Sequence, residues 1–230
     1  MAFEILYQDQ QMVAVNKPAN MLVHRTALSR DREFLLQGLR DQLGQRLYPV
    51  HRLDRATSGV IVMGLDSESA HELNTSFSEH RVRKRYLAIV RGWADAKGSI
   101  DRPVKDDERS EHREAKTDYE RLAKCELPIA NRRYPTSRYS LLALHPITGR
   151  RHQLRIHCER MAHPIIGDTT HGDGEHNKLF REHFDVHRLL LHAEAICLPH
   201  PADGQKMINI TCPPTGEFLH VLKATGMSEA

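Results

Sequence analysis

An aspartate held between two arginines is the first feature of this sequence that could do chemistry. The segment His51-Arg52-Leu53-Asp54-Arg55-Ala56-Thr57-Ser58-Gly59 sets Asp54 at a turn that runs into the apolar stretch Val60-Ile61-Val62-Met63. Adjacent cations favour the charged form of a carboxylate, so Asp54 is expected to stay ionised. The same residues read equally well as an Asx-type turn whose aspartate only bonds backbone amides. A second basic segment, Thr148-Gly149-Arg150-Arg151-His152-Gln153-Leu154-Arg155-Ile156-His157, puts Arg151 and Arg155 one turn apart if it is helical. Leu154, Cys158 and Met161 would then pack inward with the arginines facing a cleft, and a solvated basic helix face fits the pattern as well. A third cluster, His80-Arg81-Val82-Arg83-Lys84-Arg85-Tyr86, sets five candidate phosphate contacts beside an aromatic ring. A charged strand edge that discourages aggregation would look similar.

Other chemistries lack their signatures. There is no G-x-x-x-x-G-K-[ST], no H-E-x-x-H and no G-x-S-x-G, and Gly172-Asp173-Gly174 lacks the third glycine of a dinucleotide fingerprint. Sixteen histidines invite a metal reading, and His183 and His187 have i, i+4 spacing, but no carboxylate or cysteine motif accompanies them. Cys125, Cys158, Cys197 and Cys212 are 33, 39 and 15 residues apart, unlike a zinc ribbon or a C-x-x-C pair, and read as reduced thiols. Neither a metal nor a cofactor is expected.

These segments need a framework to position them. At 230 residues the chain suits one sizeable domain with a real core, and 40% hydrophobic against 27% charged residues excludes a disordered or low-complexity protein. Lys plus Arg at 33 against Asp plus Glu at 30 leaves a net charge of +3, so clustering, not total charge, must announce a nucleic-acid partner. No signal region opens the chain and no long apolar run crosses it, so it reads as cytoplasmic, with no membrane association.

Alternating apolar residues in Phe3 to Tyr7 and Met12 to Val15 predict an opening hairpin. From Asp31 the spacing of Phe34, Leu35, Leu39 and Leu43 predicts a helix. Val60 to Met63 reads as a strand, followed by a helix with Ser67 as N-cap. Further strands are expected at Arg85 to Val90, Ser140 to Leu144, Leu189 to Leu198 and Met207 to Thr211, and a helix from about Arg151 to Met161. Gly98 to Lys116, crowded with charge, reads as an exposed loop or hairpin outside the core. Strands and helices mix without regular βαβ alternation, so an α+β fold with a largely antiparallel sheet is expected.

Taken together, HRLDRATSG, KRYLAIVRG, TGRRHQLRIHCERMAHPIIGD and LLLHAEAICLPHP, in this order and spacing, resemble the RluA family of pseudouridine synthases. Lys17-Pro18 with Leu22-Val23-His24 matches the family's N-terminal motif, so the resemblance runs from about residue 3 to past residue 201. It implies the pseudouridine synthase fold in a single catalytic domain over 1–230, without an N-terminal S4 domain. The details AVNKP, LVHR, IVRGW, RYPTSRY and HPIIGD-x-x-HG look most like the tRNA-directed branch of the family and imply uridine 65 of tRNA as target. Three residues depart from the pattern and put loop shape in question: Asn20 and Ala162 where glycine is usual, and His171 where tyrosine is.

The resemblance implies an isomerisation in which the N-glycosidic bond of a uridine breaks, the uracil turns in place, and C5 bonds to C1′. It makes Asp54 the obligatory carboxylate, which attacks C1′ or removes a proton at C2′. It pairs Arg155 with Asp54, stacks Tyr86 on the target base, and has Arg52 fill the stack vacated by a flipped uridine. Arg81, Arg83, Lys84, Arg85 and Arg151 would meet RNA phosphates. The expected partner is tRNA, with no obligate protein partner and a monomeric chain. A ribosomal RNA target or a second tRNA position, a noncatalytic RNA-binding protein and a histidine-using metal hydrolase are the rival readings; the intact Asp54, Tyr86 and Arg155 set weighs against the last two.

Overall fold

In the computed structural model, residues 2–25, 33–106 and 111–228 are described. They form two compact units, one of Met1–Lys84 with Ala193–Pro213, the other of Arg85–His192 with Pro214–Ala230. The chain opens as expected with an antiparallel hairpin, β1 (Ile5–Gln8) and β2 (Met12–Lys17). Its turn is closed by Asp9, whose carboxylate accepts from the amides of Gln11 and Met12 at 2.8 and 2.9 Å. The first helix, α1 (Leu35–Leu43), buries Leu35 and Leu39 and ends on Gly44 in the left-handed region at φ 66°. Asp31, where the helical pattern starts in the sequence, lies outside the described residues.

After the short β3 (Tyr48–Pro49), β4 (Ser58–Gly64) pairs antiparallel with β2 from Lys17↔Gly59 to Met12↔Gly64. All of β4 is buried, which is why its sequence is an unbroken apolar run and not an alternating one. The helix α2 (Ser67–Ser78) follows. Its N-cap is Asp66, not Ser67: the Asp66 carboxylate accepts from the Ser69 amide at 2.8 Å and the Ser69 hydroxyl at 2.7 Å. Both residue types cap helices, and the aspartate one position earlier reaches the N3 amide.

In the second unit β5 (Arg83–Arg91) pairs with β10 (Ser137–Pro146), β10 with β9 (Lys116–Leu127), and β9 with β6 (Lys97–Asp101), all antiparallel. A separate hairpin is made by β7 (Val104–Asp106) and β8 (Glu111–Arg113). The charged stretch from Gly98 to Lys116 is thus partly the expected hairpin, but it also supplies β6 to the sheet. Ile100, Val104 and Ala115 are buried, and residues 107–110 are not described. Two helices, α3 (Gln153–Arg160) and α4 (Gly174–Phe184), complete the central part of this unit.

The chain then returns through β11 (Leu191–His200) and β12 (Asp203–Thr211), which pair with each other. The strand order in the first unit is β1-β2-β4-β11, with β12 beyond β11 and β3 against β4. Most of β12 is exposed, and Lys206 on it suits a sheet edge. The last helix, α5 (Gly216–Ala224), sends Phe218, Val221 and Leu222 into the core of the second unit with Leu87, Ile89, Tyr139, Leu141, Ile166, Phe180 and Leu190. None of the four cysteines is in a disulfide. Among the described residues no helix is long and apolar enough to cross a membrane. The expected α+β class with a mostly antiparallel sheet is what forms.

Candidate active site

The Asp54 segment is a coil between β3 and β4, and three features of the first unit hold it. The first is Lys17, the last residue of β2, which has no solvent exposure. Its ammonium donates to the carbonyls of Pro18, Met21 and Arg55 at 2.8, 2.7 and 3.1 Å, so one buried cation joins the Lys17-Pro18 loop to the residue after Asp54. A buried charge is tolerated only when such partners replace water. The second is the turn itself, in which the Asp54 carbonyl accepts from the Thr57 amide at 3.1 Å. The third is Gly59, at φ 111°, where a Cβ would lie 2.2 Å from the Ala193 carbonyl oxygen. Only glycine allows β4 to start this close to β11.

His51 opens the same segment. Its Nε2 accepts from the Val62 amide at 2.9 Å, and its ring stacks on Phe77 of α2 with centroids 4.7 Å apart. Burial, and then the charge of Lys84, push its pKa down to about 3, so the imidazole is neutral and acts as a fixed strut. Asp54 itself is half-buried between the exposed side chains of Arg52 and Arg55. Arg81 is exposed and pairs with Glu79 at 2.9 Å, a surface contact of little energetic weight. Lys84 is half-buried, and burial lowers its pKa. Arg83 donates to the Cys197 thiol sulfur at 3.3 Å.

In the second unit, Arg85 and Tyr86 stand half-buried near the start of β5, ahead of the buried run Leu87 to Val90, with Tyr86 opposite Leu144 of β10. Arg155 lies in α3 and is 7% exposed. Its guanidinium meets Asp168 through two parallel bonds, Nε to Oδ2 at 2.6 Å and Nη2 to Oδ1 at 2.7 Å. Asp168, 2% exposed, also accepts from the amides of Thr170 and His171, both at 2.9 Å. Burial would raise the pKa of this carboxyl, but the bonds from Arg155 and then from the two amides win and hold it below the usual carboxylate range.

The expected face shared by Arg151 and Arg155 does not form. The helix begins at Gln153, after His152 in the left-handed region at φ 53°, so Arg151 sits exposed in the preceding turn while Arg155 is buried. The side chain of Gln153 accounts for the late start. Its oxygen accepts from the Arg150 amide at 2.9 Å and the Thr148 hydroxyl at 2.7 Å, closing the turn, while its amide donates to the Lys116 carbonyl and the Thr117 hydroxyl. Buried His157 bonds Thr117 through Nδ1 at 3.0 Å and the Arg102 carbonyl through Nε2 at 2.9 Å, fixing the roll of α3 against β9. The i, i+4 reading of His183 and His187 also fails, because α4 ends at Asp185 in the left-handed region and His187 bonds that residue from outside the helix.

Asp168 was not singled out by the motif reading, although it stands in the quoted HPIIGD segment. An acid behind four apolar or glycine neighbours is expected to be buried and to need a cation, and among the described residues Arg155 is the buried arginine of the unit. Its loop is pinned from both sides. Gly167, at φ 81°, passes so near the Arg188 carbonyl that a Cβ would lie 1.9 Å from that oxygen, and Asn177 of α4 bonds both the Gly167 amide and the Asp168 carbonyl, at 2.7 and 2.8 Å. His171 places Nε2 3.2 Å from Nδ1 of His152 and Nδ1 3.4 Å from Glu159. Asn20 and Ala162, which replace glycines of the family pattern, both sit at φ 63°, so the loops keep a glycine-like backbone without glycine.

Comparison with known proteins gives the family. The profile described as RNA pseudouridylate synthase matches residues 11–160. Proteins from Vibrio parahaemolyticus and Vibrio cholerae, each named tRNA pseudouridine synthase C, are 49% and 50% identical over 216 residues, covering 89% of this chain and 88% of theirs. Among solved structures, human RNA pseudouridylate synthase domain containing 4 matches with a TM-score of 0.75 at 27% identity, over 97% of this chain and 93% of that one. Human RNA pseudouridylate synthase domain containing 1 gives 0.73 at 25% identity, over 93% and 84%. The chain belongs to the RNA pseudouridylate synthase family.

Proposed function

We propose that this pseudouridine synthase acts on tRNA, that its target is uridine 65, and that Asp54 is the carboxylate that reacts at the ribose. The observation that carries the substrate is the near-half identity, over most of the chain, to proteins named tRNA pseudouridine synthase C. The assignment of Asp54 is supported by its place in a loop tied by buried Lys17 and by the steric demand at Gly59. A half-buried carboxylate on a fixed loop is what a reaction at one atom of a large substrate requires.

In the reaction the C1′–N1 bond breaks, the uracil turns, C5 bonds to C1′, the proton on C5 leaves, and N1 takes up a proton, so that product and substrate are isomers. The carboxylate of Asp54 attacks C1′ or accepts the C2′ proton, and both roles need it ionised. Tyr86 stacks on the uracil, and Arg52 fills the gap that the extruded nucleotide leaves in the helix. Arg155, which the resemblance makes the partner of Asp54, is oriented by its two bonds to Asp168. Arg81, Lys84, Arg85 and Arg151 hold phosphates, which sets affinity and register but carries little sequence information.

Pseudouridine mapping in tRNA from cells with and without the gene tests this reading. Loss of pseudouridine at position 65 alone is the expected result. An intact position 65 with a site missing from ribosomal RNA would refute the tRNA assignment while leaving the chemistry in place.

A further inference from the structure

The second unit carries a groove that includes none of the residues assigned to the reaction above, although the quoted IVRGW and RYPTSRY segments line part of it. It lies between the end of β5, the loop joining β9 to β10, and the first turn of α4, and it encloses about 1460 Å³. Pockets for small ligands are of the order of 300–1,000 Å³, so an open groove of this size suits a stretch of polymer better than a metabolite.

Its chemistry is that of a surface for nucleic acid. Arg132, Arg133 and Arg138 line it with Tyr134 and Trp93. Arg138 Cζ and Lys124 Nζ lie 4.1 and 4.7 Å from the Trp93 ring centroid, so the indole holds two cations at one edge of the groove. Glu126 and Glu175 do not cancel this. They pair with Arg138 and Arg132, closest at Nε at 3.2 and 3.3 Å, which orients each guanidinium, and two glutamates stand against three arginines. Arg91, by contrast, spends Nη1 on Asp173 and Nη2 on the Ala162 carbonyl. Arg133 makes no ion pair among the described residues, and Tyr134 is 64% exposed.

The display is built, not incidental. Asn131 accepts from the amides of Arg133 and Tyr134 at 3.1 and 3.2 Å, and its own amide donates to the Tyr134 carbonyl at 2.9 Å. Its side-chain nitrogen reaches the Thr136 carbonyl and the Ser137 hydroxyl, while Glu175 accepts from the Arg132 amide at 2.6 Å. The tip is thereby closed on itself and tied to α4, so an exposed tyrosine and adjacent arginines are presented with their backbone already ordered. Preorganisation of this kind lowers the entropic cost of binding.

We infer that this groove binds a single-stranded stretch of the substrate RNA away from the target nucleotide, with Arg132, Arg133 and Arg138 on phosphates and Tyr134 against a base. Guanidinium forks match phosphate oxygens, and an exposed tyrosine offers a face on which any base can stack. The inference rests on the reading of the chain as an enzyme of tRNA.

The test is the affinity of a full-length tRNA transcript, measured between 50 and 200 mM salt, for the wild type and for the double variant Arg133→Ala/Tyr134→Ala. Both side chains are exposed, and thermal melting confirms that the variant is folded; Arg133→Glu serves as a second, single-site probe. Loss of one stack and one phosphate contact should weaken binding roughly tenfold or more and lower the salt slope by about one. Charge reversal at Arg133 should weaken binding further than Arg133→Ala. Unchanged affinity and slope in the double variant, with wild-type protein binding the transcript, would overturn the groove alone. A wild type that binds no tRNA transcript would overturn the proposed substrate and this surface with it.

Discussion

Replacing Asp168 by alanine should be among the most damaging single changes to this protein, although no residue of the Asp54 loop is touched. The substitution removes four accepted hydrogen bonds: two from the Arg155 guanidinium at 2.6 and 2.7 Å and two from backbone amides at 2.9 Å. It takes a two-pronged carboxylate away from a guanidinium whose side chain is only 8% exposed. Breaking a buried pair from one side costs about 3–5 kcal/mol, mostly for the stranded charge. For a chain of this length each kcal/mol is worth about 2–4 °C, so melting should fall by roughly 8–16 °C for a loss near 4 kcal/mol. The folded pKa of Asp168 lies below its unfolded value, so this contribution is complete at neutral pH and fades only as pH falls below about 4 through the folded pKa. Calorimetry at pH 7.5 therefore samples all of it. The double change Arg155→Met/Asp168→Leu, which removes both charges, should cost less than Asp168→Ala alone while leaving the enzyme inactive. A loss below about 1 kcal/mol in Asp168→Ala, or a double variant less stable than the single one, would refute the reasoning.

Three other outcomes follow from particular contacts. Arg155→Lys keeps a charge but not the two-pronged geometry that Asp168 receives, so turnover should fall by a larger factor than tRNA affinity, as single-turnover kinetics beside filter binding would show. His51 is pushed down to about 3 in the fold while an unfolded imidazole titrates near 6.5, so the unfolded chain takes up the extra proton between those values; stability should be whole above about pH 6.5 and fall by about 1–2 kcal/mol by pH 5, a loss that urea titrations of His51→Gln should not share in full. Ala162, at φ 63° just past the end of α3, sits where glycine is relaxed, so Ala162→Gly should raise stability by about 1 kcal/mol in the same titrations.

What could be read from the sequence followed the strength of local periodicity. β4 is a continuous apolar run bounded by turn residues, and this strand and the opening hairpin of β1 and β2 were legible to within a few positions. β9 was not, because its exposed residues Lys116, Glu120, Lys124 and Glu126 stand among half-buried ones without a strict alternation, and the pairing that makes it a strand lies with β6 and β10. α4 escaped for a related reason. It buries His176 and Asn177 beside Phe180, so hydrogen bonds to Tyr139 and to the Asp168 loop replace part of the apolar stripe that announces a helix. At the site, HRLDRATSG and HQLR pointed to a chemistry only through the family resemblance, while the devices that hold them were silent. Lys17 looks like any surface lysine until the carbonyls around it are seen, and the pairing of Arg155 with Asp168 joins residues of two segments that no periodicity connects.

The central claim is that Asp54 isomerises a uridine in tRNA, and tritium release from a tRNA transcript labelled at C5 of uridine tests it most directly. The wild-type protein should release about one equivalent of tritium per transcript with pseudouridine appearing at position 65, and Asp54→Ala should release none while still binding the transcript. Turnover by Asp54→Ala, or a folded wild type that binds the transcript and releases nothing, would contradict the account.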